Sequence, residues 1–341
     1  MLKVGLVGIG FMGRGHLDNY LRFEEEGFPV KLVAVCDIDP DKFKNIFVKG
    51  NIDVGTGTYD FSKYNLYTDM DEMLANEELD YVDIALPTYL HAEATIKALN
   101  KGLHVLCEKP MAMNSAECQA MIDAAKANDR KLMIGQCLRF WPAYEYLKET
   151  VQSKRLGDVV CAYFFRGGEP PRWSYENWLL TKEKSGGCLL DQHIHDVDTI
   201  NWLFGMPDKV STIATNIIPG SGYDAVSTNY IYNDGKVINA QDDWTLEGDF
   251  GFDMTFRVNF EKGNLILAKG VLTENPDDGQ GFQPDLCPDL GYYREMKYFA
   301  NSILENKPIE IAAPESTRDT IRIAEAELES ADKKGVLVAI K

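Results

Sequence analysis

The chain has 341 residues, with 35 lysines and arginines against 53 aspartates and glutamates, for a formal net charge of −18. That length exceeds what a single hydrophobic core usually supports and predicts two domains, while the acidic field opposes binding to nucleic acid and to anionic membranes. No run of 18 uncharged apolar residues occurs, so no transmembrane helix is expected.

The N-terminal stretch MLKVGLVGIGFMGRG lacks the basic start, apolar core and small-residue site of a secretory signal, which points to the cytoplasm. The seven cysteines are scattered, odd in number and free of any CxxC pair, as reduced thiols of a cytosolic chain would be. Up to residue 137, short apolar runs alternate with helical patterns. Val4–Gly8, Leu32–Asp37, Tyr81–Leu86, His104–Glu108 and Leu132–Gln136 show no polar alternation, as expected of strands buried on both faces. Helices are predicted over Phe11–Phe23, Ala92–Asn100 and Ser115–Asn128. This order implies βαβ crossovers and a doubly wound parallel sheet.

Beyond residue 140 the pattern changes. A helix over Pro142–Gln152 precedes an alternating segment, Val159–Arg166, and Gly186–Phe204 reads as one helix. Strand-like stretches follow near 208–217, 228–245 and 252–269, with hairpin turns at Asn233–Asp234–Gly235 and Lys262–Gly263. Helices near 291–305 and 315–334 and a strand over Val336–Ile340 close the chain. The expected fold is therefore α/β: a Rossmann domain over 1–137 and an α/β domain with a large, mostly antiparallel sheet over 138–341. The last helices are placed to pack back on the first domain. Tyr230, Tyr232 and Trp244 are even-numbered and should share a face of the sheet, whose other face would serve a dimer.

Gly8–Ile9–Gly10–Phe11–Met12–Gly13 is a GxGxxG motif between a buried strand and a helix. Gly8 permits the tight turn, Gly10 lets a pyrophosphate approach the backbone, and Gly13 allows close helix–strand packing. The free N–H groups of the helix start favour the phosphates. Asp37 ends the second strand, where a Rossmann acid accepts from the ribose 2′-OH and repels a 2′-phosphate. NAD is the expected cofactor and NADP is disfavoured. No GxxxxGK[ST] loop is present, so kinase or ATPase chemistry has no support.

The fifth strand ends in Glu108–Lys109–Pro110, which points Lys109 to the ligand crevice at strand C-termini. Downstream, Asp191 and His195 stand four residues apart on the predicted helix and share a face. Only five histidines exist, and two of them, His193 and His195, fall there. An imidazole suits acceptance of a hydroxyl proton as hydride leaves, and a lysine ammonium suits a developing alkoxide. An HxH pair on a helix diverges and no third ligand set stands out, so no metal is expected.

These pieces, with Leu86–Pro87–Thr88–Tyr89–Leu90–His91 and Tyr292–Arg294–Glu295, resemble the Gfo/Idh/MocA family of oxidoreductases. The resemblance implies Lys109 and His195 as catalytic residues, Asp191 in the substrate site, a cis Lys109–Pro110 bond, and a sheet often used for oligomers, here a homodimer or homotetramer. On the cofactor it places the Gly8–Gly13 loop, Asp37, Leu86, Pro87, Thr88, His91, Glu108, Lys109, Pro110 and Gln136. On the substrate, a sugar, inositol or related polyol, the candidates are Lys109, Arg139, Arg172, Trp173, Asp191 and His195. Relatives commonly carry glycine where this chain has His193, which puts a second imidazole near the catalytic one. Two other readings keep the fold: a sugar sensor that binds the dinucleotide without turnover, and a glycosidase-like enzyme that oxidises its sugar only transiently.

Overall fold

The computed structural model describes residues 1–44, 50 and 57–340. They fall into two units: 1–137 with 173–176 and 292–318, and 138–172 with 177–291 and 319–341.

In the first unit the apolar runs become strands β1 (Leu2–Val7), β2 (Val30–Cys36), β3 (Asn65–Tyr67), β4 (Tyr81–Ile84), β5 (His104–Glu108) and β6 (Leu132–Gly135). All pairs are parallel, in the order β3-β2-β1-β4-β5-β6, the doubly wound arrangement. The crossovers carry α1 (Phe11–Glu25), α2 (Met70–Asn76), α3 (His91–Asn100) and α4 (Ser115–Ala127). Strand β3 and helix α2 escape the sequence reading because each is short. The three residues of β3 lie on the sheet edge with little burial, so no apolar run announces them. Helix α2 is set instead by its cap, the Asp69 carboxylate accepting from the Glu72 N–H at 3.0 Å. Every residue of β4 is buried, including Asp83.

The second unit contains α5 (Pro142–Ser153), β7 (Val159–Gly168), and the short helices α6 (Lys182–Ser185) and α7 (Gly187–Asp191). These are followed by α8 (Ile194–Phe204), β8 (Lys209–Thr215), β9 (Ala225–Ile231), β10 (Val237–Asp243), β11 (Phe252–Phe260), β12 (Gly263–Ala268) and β13 (Val271–Pro276). Helix α9 (Gly291–Leu304) lies almost wholly in the first unit. Helix α10 (Pro314–Asp332) starts in the first unit and continues in the second, before β14 (Val338–Ala339). The eight-stranded sheet runs β13-β12-β11-β7-β10-β9-β8-β14 and is antiparallel except where β7 meets β10.

Alternation decides which way this sheet faces. Val226, Thr228, Tyr230, Ile238, Ala240, Phe256 and Val258 turn inward, and Tyr144 of α5 meets Phe256 edge-on at 5.2 Å. The stretch 228–245 is two strands rather than one, with Tyr232 and Trp244 just beyond their ends. Tyr230, Tyr232 and Trp244 do share a face, and it is the buried one: Tyr232 donates to the Gly205 carbonyl and Trp244 Nε1 to Asp224. The opposite face exposes Ile213, Ile231 and Val237. Among the described residues no helix is long and apolar enough to cross a membrane.

Candidate active site

The glycine-rich turn has the geometry its motif requires. Gly8 adopts φ +89°, a conformation L side chains rarely take. A Cβ on Gly13 would lie 1.9 Å from the Gly8 carbonyl oxygen, so only glycine lets α1 pack this closely. A Cβ on Gly10 would meet nothing within 4 Å. That open space above the helix start fits a pyrophosphate, and a dinucleotide would be held there by the Gly8–Gly13 backbone. Asp37 is buried at the end of β2, and its carboxylate accepts from the Ile9 N–H at 2.8 Å, the Asp39 N–H at 3.0 Å and Lys42 Nζ at 3.0 Å. It braces the turn at the strand end where the sequence places the ribose contact. Beside Phe11 lies Trp173, ring centroids 5.2 Å apart, which places this expected substrate residue in the nucleotide-binding unit.

At the end of β5 the Lys109–Pro110 bond is cis and Lys109 is half-buried, between a buried Glu108 and a buried Pro110. Two expected cofactor residues turn inward instead. The Glu108 carboxylate takes His16 Nε2 at 3.0 Å and the Lys109 N–H at 3.0 Å. The His91 ring lies between the Pro110 and Leu86 carbonyls, both at 2.7 Å, and so ties two crevice loops together. Burial lowers its pKa against those two bonds. Thr88 and Gln136 are buried, each with a side-chain polar atom that has no hydrogen-bond partner among the described residues, Oγ1 and Nε2 respectively. Leu86 and Pro87 remain half-buried beside them.

The predicted helix Gly186–Phe204 is broken. Its start holds because Gly187 sits at φ +75°, where a Cβ would meet the Ser221 carbonyl oxygen at 2.7 Å. The break comes at Gln192–His193, where the His193 N–H reaches back to the Cys188 carbonyl at 2.8 Å. The His193 side chain pins it: Nδ1 bonds the Asp242 carboxylate of β10, and Nε2 lies 3.4 Å from Glu327 of α10 and 3.3 Å from the Tyr230 hydroxyl. The His193 imidazole is thus fully buried, with a carboxylate beside each ring nitrogen. Asp191 and His195 flank this pinned turn and stay half-buried, although Gln192, His193, Ile194 and Asp196 are all buried. Their kinship therefore rests on the turn rather than on a continuous helical face.

Arg139 is a further correction. It is 2 % exposed and bonds Asp198 through Nε at 2.8 Å and a terminal nitrogen at 2.7 Å, a bidentate pair inside the second unit rather than a substrate contact. Arg172 is exposed and paired with Glu247 at 2.6 Å.

Two buried polar clusters went unread in the sequence. In the first unit, His16 Nδ1 faces both Asp83 oxygens at 3.0 and 2.9 Å, Tyr20 donates to Asp83 at 2.7 Å, and Glu295 lies near Glu108. His16, Glu108 and Glu295 offer one ligand atom each within 4.8 Å of one another, the spacing a cation would need. In the second unit, Arg166 bonds Asp196 at 3.1 Å through two nitrogens and lies 3.9 Å from Asp242, beside His193. Burial raises Asp196 to about 7, against the pull of Arg166. A sequence signal existed only for the first cluster: a histidine three residues after the last motif glycine.

Residues 2–136 match a family model described as an oxidoreductase family with an NAD-binding Rossmann fold, and residues 144–266 match the GFO/IDH/MocA C-terminal domain. An uncharacterized oxidoreductase of Streptococcus pneumoniae is 32 % identical over 218 residues, 64 % of this chain and 54 % of that protein. A 2,7-anhydro-N-acetylneuraminate hydratase of Mediterraneibacter gnavus is 30 % identical over 213 residues, 62 % of this chain and 52 % of that one. The chain spans about half the length of these curated relatives. Among solved structures, levoglucosan dehydrogenase in complex with NADH and levoglucosan superposes with a TM-score of 0.85 at 22 % identity, covering 99 % of both chains. Two matched domains in their proper order, on this turn and this pair of sheets, make the chain a member of the Gfo/Idh/MocA oxidoreductase family.

Proposed function

We propose that the protein is an NAD(H)-dependent dehydrogenase that interconverts a hydroxyl and a carbonyl on a cyclic sugar, inositol or related polyol. One observation carries the assignment of roles: Lys109, Asp191 and His195 each stay half-buried beside neighbours that are buried. Groups held this way stand at a rim where a bound molecule can reach them while their backbone is fixed by packing.

NAD, when bound, supplies the hydride acceptor. The chain's own work is to hold the alcohol and move its proton. The Lys109 ammonium donates to the substrate oxygen and stabilises charge as it grows there. Neutral His195 accepts the hydroxyl proton as the C–H bond gives up its hydride, and later returns the proton to solvent. Asp191 holds a neighbouring hydroxyl or orients His195. Asp37 accepts from the adenosine ribose, and its charge disfavours a 2′-phosphate. The exposed face of the eight-stranded sheet suits at least a dimer, and seven free thiols suit a reducing compartment such as the cytoplasm.

A second reading is favoured by the hydratase relative, whose name describes no net oxidation. Here the sugar would be oxidised and re-reduced within one turnover. One experiment separates the two. The protein is mixed with NAD+ and, in turn, inositols, aldoses, sugar acids, levoglucosan and 2,7-anhydro-N-acetylneuraminate. NADH absorbance and sugar conversion are followed together. Stoichiometric NADH supports the dehydrogenase, and conversion without NADH supports the second reading. NADH should bind more tightly than NADPH by calorimetry, and equal binding removes Asp37 from its role.

A further inference from the structure

His16 presents both ring nitrogens to carboxylates, Nδ1 to Asp83 at 2.9 Å and Nε2 to Glu108 at 3.0 Å. Carboxylate oxygens accept when ionised, and a neutral imidazole carries one N–H only. A neutral ring would therefore aim a lone pair at one of them, in a region where His16 is 1 % and Asp83 0 % exposed. Glu295 adds a third carboxyl. It is 0 % exposed, neither of its oxygens has a hydrogen-bond partner among the described residues, and one lies within 4.8 Å of both His16 and Glu108. An ionised, unpaired carboxylate in such a place is too costly to persist and takes up a proton.

We propose that His16 is held as an imidazolium bridging Asp83 and Glu108, that Glu295 is held as the neutral acid beside Glu108, and that this proton-loaded cluster is the positioning device for Lys109. The link is short: Glu108 directly precedes Lys109 in the chain, and its second carboxylate oxygen accepts the Lys109 N–H at 3.0 Å, so fixing Glu108 fixes the turn that carries the ammonium. The titratable groups facing His16 are Asp83 of β4, Glu108 of β5 and Glu295 of α9; behind them Tyr20 of α1 donates to Asp83 and lies beside Tyr81, and Lys109 acts on Glu108. Burial opposes charge on His16, but Asp83 and then Glu108 outweigh it and raise its pKa well above the ordinary value. Burial, then the Glu108 charge, raises that of Glu295.

The importance of Lys109 rests on the proposed dehydrogenase reading, whereas the protons can be located without any substrate. In protein labelled with 15N at histidine, long-range spectra from about pH 5 to 9 should show both His16 nitrogens protonated throughout, with the signal assigned by its loss in His16→Asn. A neutral tautomer at pH 7, or a stoichiometric bound metal found by elemental analysis, would overturn the proposal. Glu295→Gln keeps the shape of the neutral acid and cannot ionise. A folded-state pKa above the unfolded value means stability present in acid and lost as pH rises. The melting temperature of wild type should thus fall relative to Glu295→Gln as pH climbs above about 4.3, the ordinary glutamate value. A constant difference between the two overturns the protonated Glu295. Positioning is read separately: His16→Asn should lower kcat at least about tenfold with NADH affinity unchanged, and parallel loss of both would make the cluster merely structural.

Discussion

Each unit of this protein sets a half-buried residue of the proposed mechanism next to a buried ionic cluster, and the two clusters are balanced differently. Under Lys109 the interior cation is His16, whose charge is conditional on pH and on Asp83 and Glu108. Next to His195 it is Arg166, bonded twice to Asp196, whose guanidinium stays charged at any working pH. The first cluster must borrow protons to exist in a dry interior, while the second brings its own positive charge. The second also has a conditional member: His193 lies between Asp242 and Glu327, and burial is outweighed there by the two carboxylates, which raise its pKa. A permanent cation needs no bound proton to hold its charge, whereas a histidine must keep one.

The largest expected effect tests whether the clusters are supports and not the chemistry itself. Lys109→Ala and His195→Ala should each lose about 10²–10⁴-fold in turnover. NADH affinity by fluorescence titration and the urea midpoint should stay near wild type. If either variant kept full turnover on a verified substrate, the working residue would have to be sought elsewhere. It would not be His193, whose ring is buried.

Removing the permanent cation comes next. Arg166→Met leaves Asp196 buried without its partner, and the loss in stability should be about 3–5 kcal/mol, read from urea unfolding. Because Asp196 sits near 7, raised above its ordinary value, the loss should be smaller in acid, where it is protonated, and grow as pH rises through neutrality. A double replacement, Arg166→Met with Asp196→Leu, should recover much of it. Were the single variant as stable as wild type, the contrast between the clusters would collapse.

The smallest effect sharpens the role of the buried His193 imidazole. His193→Gly strips Asp242 and Glu327 of a partner and should cost about 1–3 kcal/mol. Turnover per folded molecule should fall far less than in His195→Ala. A fall as large as that of His195→Ala would show that the pin at Gln192–His193, and not burial alone, governs the catalytic imidazole.

Much of this was legible in the amino-acid order. Five strands of the first sheet, the Gly8–Gly13 turn and the corner at Lys109 follow from local signals, since periodicity, glycine placement and strand ends are properties of neighbouring residues. Edge strand β3 and helix α2 were lost because three residues and seven are too few to show a period. What tertiary structure alone decided is which charges are buried and with whom. Arg139 meets Asp198 across 59 positions, His193 meets Asp242 across 49, and His16 meets Glu108 across 92. No local pattern encodes such partners, so Arg139 looked free for substrate, His193 for proton transfer and Glu108 for cofactor. The cost of leaving a charge unpaired in a dry interior depends on the whole surroundings of the group, and these exist only after distant elements have come together.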